Sequence, residues 1–220
     1  MTDTSLEKAL QATPFIDADS ESIRVFADAQ AGSGGDRERA IKLYYAVRDG
    51  IRYDMRMFGL ETDIFVASKC LQAPAAFCVP KAITLAAVAR ASGIPARVGF
   101  ADVKNHLTTP KMSQLMDTEL FLWHAYTSLF IEGQWVKATP AFDIGLCDRH
   151  GVKPLEFDGR NDSIFHEFDT AGRRHMEYIR FHGEFDDMPM EIFSAEMRRS
   201  YPRMLETLAR ERAAERAGRS

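Results

Sequence analysis

Cys78 stands where a loop gives way to a helical pattern, in Phe77-Cys78-Val79-Pro80-Lys81. Unpaired N–H groups and the positive end of a helix dipole gather at such a start, and both favour a thiolate. Lys81, three residues on, adds positive charge to the same turn. A thiolate is the attacking form of cysteine, and a neighbouring imidazole completes its activation. The alternative is an ordinary buried cysteine among alanines. His124 supplies the imidazole: Trp123-His124-Ala125-Tyr126 falls in a stretch that alternates like a strand, so the ring would project from a rigid sheet. A cross-strand aromatic bonded to a carbonyl is the other role open to it. A third group would orient the imidazole, and Thr139 and Asp143 follow in the next segment. Asp143 has a carboxylate to accept an imidazole N–H, though Asp143-Ile144-Gly145 also suits a solvated turn.

Positioning these groups is a matter of a few elements. Asp17 to Ser20 offers caps for a helix near 20–30, which Ala31-Gly32-Ser33-Gly34-Gly35 ends. From Asp36, the residues Ile41, Tyr44, Tyr45, Val47 and Ile51 recur three or four apart as on an amphipathic helix. A helix from Cys78 carries Pro80 in its first turn and stops at Ser92-Gly93-Ile94-Pro95. It is alanine-rich on nearly all sides, which predicts burial. Strand patterns cover Arg97 to Val103 and Phe121 to Ile131; Glu132-Gly133 turns the chain into Gln134 to Thr139, a hairpin. Residues 150–190 read as a polar and aromatic loop, and 191–218 as one helix that frays at its end. Helices, then strands, then helix predict an α+β fold with an antiparallel sheet.

Composition excludes several classes. The chain has 220 residues, 45% apolar and 27% charged, which suits one globular domain and not a disordered chain. No run of about 18 apolar residues is present, so no membrane partner is expected. The net charge of −4 argues against a nucleic-acid partner. Three cysteines, at 70, 78 and 147, are too few for a disulfide scaffold, and Met1 to Ser5 lacks the features of a signal peptide. A reduced, cytoplasmic protein is expected.

The joined segments Cys78-Val79-Pro80-Lys81-Ala82, Gly93-Ile94-Pro95-Ala96-Arg97, Trp123-His124-Ala125-Tyr126 and Trp135 through Pro140 resemble the transglutaminase-like superfamily. The resemblance covers about 36–145. It implies a papain-like α+β fold, with the nucleophile helix packed on an antiparallel sheet and a Cys-His-Asp triad. Cys78 would then be the nucleophile and His124 the general base and acid. Where that family has an acid before proline, this chain has Thr139; Asp143 lies on the same side of the strand if the strand continues past Pro140, and is the expected third member. Gln72, six residues before Cys78, matches the place of the oxyanion glutamine of papain-like proteases, beside the Cys78 backbone N–H as a second donor. The implied activity is acyl transfer at a peptide or small amide, by hydrolysis in preference to transamidation, with no cofactor. The whole chain would form one domain, with 150–190 as a lid over the cleft and 191–220 as a C-terminal helix. Two other functions compete. One is a metal-dependent hydrolase using His166, His175 and His182, although their spacing fits no metal motif. The other is a binding module that keeps the fold without the chemistry. The oligomeric state is open.

Overall fold

The structure, a computed structural model, describes residues 3–105, 110–164 and 176–217. Helices α1 (Asp3–Lys8), α2 (Glu21–Ala31) and α3 (Asp36–Gly50) come first, then the short α4 (Ala67–Gln72) and α5 (Cys78–Ala91). Strand β1 (Ala96–Asn105), helix α6 (Pro110–Met116), strands β2 (Leu120–Ile131) and β3 (Gln134–Ala138) and helix α7 (Ile144–His150) follow. Strand β4 (Met176–Phe185) and helices α8 (Met190–Ser200) and α9 (Pro202–Ala217) complete the chain.

Local chemistry explains most boundaries. Ser20 caps α2 by accepting from the Ile23 N–H. Every residue of α5 from Cys78 to Arg90 is buried, as its alanine content predicts. At its end the Ile94 N–H reaches the Ala89 carbonyl at 2.9 Å around Gly93, whose φ of +77° needs no side chain. Glu132 and Gly133 both have positive φ, which closes the β2–β3 hairpin with the twist its strands need.

The strands form one antiparallel sheet in the order β3-β2-β1-β4. Helix α5 lies on β2 and β1, joined by the Thr127 hydroxyl donating to the Ala82 carbonyl at 2.8 Å. The α+β class and the antiparallel sheet are as the sequence predicts. The buried core runs from Ile16 in the N-terminal segment to Leu208 in α9.

Three expectations need correction. The segment 150–190 is not wholly loop: β4 pairs with β1 from Met176 to Phe185 and forms a strand of the sheet. Its two bulges break the alternation by which a strand is recognised. The tail is two helices, because the break at Tyr201-Pro202 buries the Tyr201 ring. The hairpin strand stops at Ala138 and does not carry Asp143; the chain leaves the sheet and Asp143 opens α7. Among the described residues, no helix is long and apolar enough to cross a membrane.

Sheet packing makes a direct prediction at Gly99, which faces Tyr126 across β1 and β2. A Cβ there would lie 2.2 Å from Tyr126 Cζ. Gly99→Ala should therefore lower stability by about 1–3 kcal/mol, seen as a fall in Tm by thermal denaturation. An unchanged Tm would mean the ring moves aside freely.

Candidate active site

Cys78 is the first residue of α5, after the extended Phe77. The backbone N–H groups of Ala125, Val79 and Cys78 itself pull its thiol towards the thiolate. Ala125 follows His124 in β2, so the helix start and the strand meet at this point. Cys78 and His124 line one pocket, with Tyr53, Met55, Phe58, Phe77, Val79 and residues of β2, α8 and α9 around them. The pocket encloses about 380 Å³ of empty space, solvent at its mouth included.

This setting changes the expected ionisation. Burial pushes the Cys78 thiol up to about 11, against the pull of the three N–H groups. Burial likewise lowers His124 to about 3. The resting pair is therefore a neutral thiol and a neutral imidazole, not the thiolate that the helix start alone predicts. Lys81 does not add charge to this turn. Its buried ammonium donates to the Arg48 carbonyl at 2.7 Å and the Ile51 carbonyl at 2.5 Å, closing the C-terminal end of α3. Burial lowers Lys81 to about 8, while Asp143 and Cys70 pull the other way.

The depressed histidine has a consequence for stability. Unfolded His124 binds a proton near pH 6.5, whereas the folded residue stays neutral down to about 3. Between those values the unfolded chain holds more protons, so stability falls as pH drops, by up to about 1.4 kcal/mol for each pH unit. His124→Gln should flatten the acid side of the stability curve. Urea denaturation at pH 4 and pH 7 checks it; equal slopes in both proteins would contradict it.

Asp143 has two backbone partners. One carboxylate oxygen accepts from the Leu146 N–H at 2.9 Å, which caps α7, and the other from the Tyr53 N–H at 2.8 Å. Burial works to raise its pKa, but these amides and the Lys81 charge outweigh it and hold the carboxyl below its usual value. The bond to Tyr53 ties Asp143 to a residue of the Cys78 pocket. Thr139, in the slot where an acid was expected from the resemblance, is buried, and its hydroxyl has no hydrogen-bond partner among the described residues. Gln72 is exposed at the end of α4 and does not line the pocket; Ala76, between it and Cys78, is held against the chain at Arg52 and Asp54.

His166 and His175 lie outside the described residues. His182 is in β4, with its Nε2 2.7 Å from Asp102 Oδ1. Among the described residues, no group of three or more histidine, cysteine or acidic side chains could hold a metal ion. Cys70 and Cys147 are buried, and each is raised to about 11 by burial first.

Sequence reasoning missed two tyrosines at the site. Burial raises Tyr53 well above its usual value, and Cys78 and Asp54 nearby act in the same direction. Burial also raises Tyr201, whose hydroxyl donates to the Leu120 carbonyl at 2.6 Å and accepts from the Leu122 N–H at 2.7 Å. Neither carries a local sequence signal, because both reach the pocket only through the fold.

A sequence profile of the Transglutaminase-like superfamily matches residues 24–140, just over half of the chain. The chain belongs to that superfamily. The span matched to the superfamily holds Cys78, His124 and Thr139 and ends before Asp143. Among solved structures, a putative cysteine protease from Cytophaga hutchinsonii is similar, with a TM-score of 0.49 and 14% identity over 84% of this chain. The alignment takes in 55% of that protein, so the present chain spans about half its length. No curated protein sequence matches the chain.

Proposed function

We propose that this protein is a cysteine-dependent amide hydrolase, with Cys78 as nucleophile and His124 as general base and acid. The observation that supports it is the placing of Cys78 at the start of α5, in one pocket with His124, where nearby backbone N–H groups favour its thiolate. A neutral imidazole is the form that can take the thiol proton. As that proton moves to His124, the sulfur bonds to the amide carbon, and the carbonyl electron pair becomes an oxyanion that backbone N–H groups can stabilise. Collapse of this intermediate breaks the C–N bond, and the proton on His124 goes to the departing amine. The thioester left on Cys78 is then cleaved by water, with His124 as base, to release a carboxylic acid and the free thiol. An amine in place of water would give a new amide. Asp143 enters through Tyr53, whose backbone it holds beside the pocket.

The substrate class this reading takes is a peptide or small neutral amide, because the pocket lining is almost wholly apolar and aromatic. The test is a panel of dipeptide amides and anilides offered to the wild type and Cys78→Ala, with and without added methylamine. Turnover lost in the variant supports the proposal, and methylamide product would assign transamidation. Equal signals from both proteins would overturn it. A second function, a binding module on the same fold, is favoured by Thr139 in the acid position and by the neutral, buried state of Cys78.

A further inference from the structure

We propose that Asp102 is a positioning residue that sets where His124 stands, with His182 holding its carboxylate in place; this rests on His124 being the base. The pairing of β1 with β2 runs in register to Ala101 and His124, then slips, so that Leu122 and Trp123 both lie opposite Asp102. That is a β-bulge one residue before the histidine, and bulges re-aim the side chains that follow them. Trp123 takes a φ of +55° there, in the left-handed region that a bulky residue adopts only when its surroundings impose it. Asp102 supplies the constraint: its Oδ1 accepts from the Trp123 N–H at 3.0 Å.

The other side of β1 is arranged to match. Phe100 pairs with Gly183 and Ala101 with Phe181, which leaves His182 as the extra residue of a second bulge. Its Nε2 reaches the same Asp102 oxygen at 2.7 Å, and its ring stacks on the Trp123 indole, with centroids 4.5 Å apart and planes 17° apart. The two bulges thus turn one backbone amide and one imidazole onto a single buried carboxylate oxygen. Tyr201 braces the same stretch from the other direction through Leu120 and Leu122.

A residue that acts through His124 should lose its effect when His124 is gone, so the test is a double-mutant cycle on the full chain. The reaction followed is alkylation of Cys78 by iodoacetamide at pH 7, measured by mass spectrometry, beside the His124 ring resonance in NMR. His124→Ala should slow alkylation about tenfold or more, and Asp102→Ala by a similar factor. Asp102→Asn, whose amide oxygen still accepts from the Trp123 N–H, should stay within about threefold of wild type. Asp102→Ala should add nothing in the His124→Ala background. The His124 resonance should move in Asp102→Ala and return in Asp102→Asn. Should Asp102→Ala not fold, His182→Phe keeps the stack on Trp123 and removes the bond to Asp102; it should shift the His124 resonance in the same direction by a smaller amount. Additive effects, or a His124 resonance unmoved in these variants, would overturn the positioning role. A His124→Ala protein as reactive as wild type would instead overturn the base assignment, with the resonance still deciding for or against Asp102.

Discussion

Cys78→Ala should remove amide turnover by about 10⁴-fold or more, the scale on which loss of a covalent nucleophile is felt. Its expected effect on folding is small, since the change deletes one sulfur atom at the edge of a pocket and leaves α5 with a better helix former. Activity and stability therefore separate cleanly. Measured turnover of the best amide of the panel, with Tm in parallel, checks it. A short-lived thioester should also appear in the wild type as an added acyl mass on the peptide containing Cys78, and never in the variant. Persistent turnover at the wild-type level would move the chemistry to another group and leave the binding module as the better account.

His124→Ala should slow turnover by about 10²- to 10⁴-fold, the usual contribution of a positioned base. The pH dependence distinguishes this from a general loss of structure. In the wild type, burial keeps the imidazole neutral down to about 3 and the thiol protonated up to about 11. Lowering the pH from 8 to 5 thus leaves the base unprotonated, and kcat/KM should stay nearly level over that range. Without His124, only the fraction of Cys78 already ionised can attack. That fraction grows tenfold per pH unit below about 11, so the variant's rate should climb with unit slope and the gap to wild type should close at high pH. A wild-type profile that falls through pH 6.5 would show an imidazole in contact with water and refute the neutral pair.

The parts of the site that were legible in the sequence are those set by local chemistry. The helix beginning at Cys78, its stop at Gly93, the β2–β3 turn at Glu132-Gly133 and the placing of His124 on a strand all follow from patterns within a few residues. Asp143 shows where this kind of inference fails. Its carboxylate was expected on an extension of β3, but nothing local indicates whether a strand ends at Ala138, and an aspartate three residues past a proline is equally suited to capping a helix. Gln72 failed for a similar reason, since sequence distance from the cysteine does not say which way the intervening turn faces. Lys81 had the right position in the turn and the wrong direction, because three residues along a helix start can face either its dipole or the end of another helix.

The amino-acid sequence by itself determined the superfamily and the α+β class, because each is written in spacing and side-chain type. Only the tertiary structure decided the ionisation of the candidate site residues. Helix dipole and nearby charge are visible along the chain, but desolvation depends on every element packed around the site, and here it outweighs them for both Cys78 and His124. The same holds for the bulge that precedes His124. Its geometry arises where Asp102 of β1, His182 of β4 and Tyr201 from the C-terminal segment converge on β2, and contacts between residues 80 positions apart leave no local mark in the sequence.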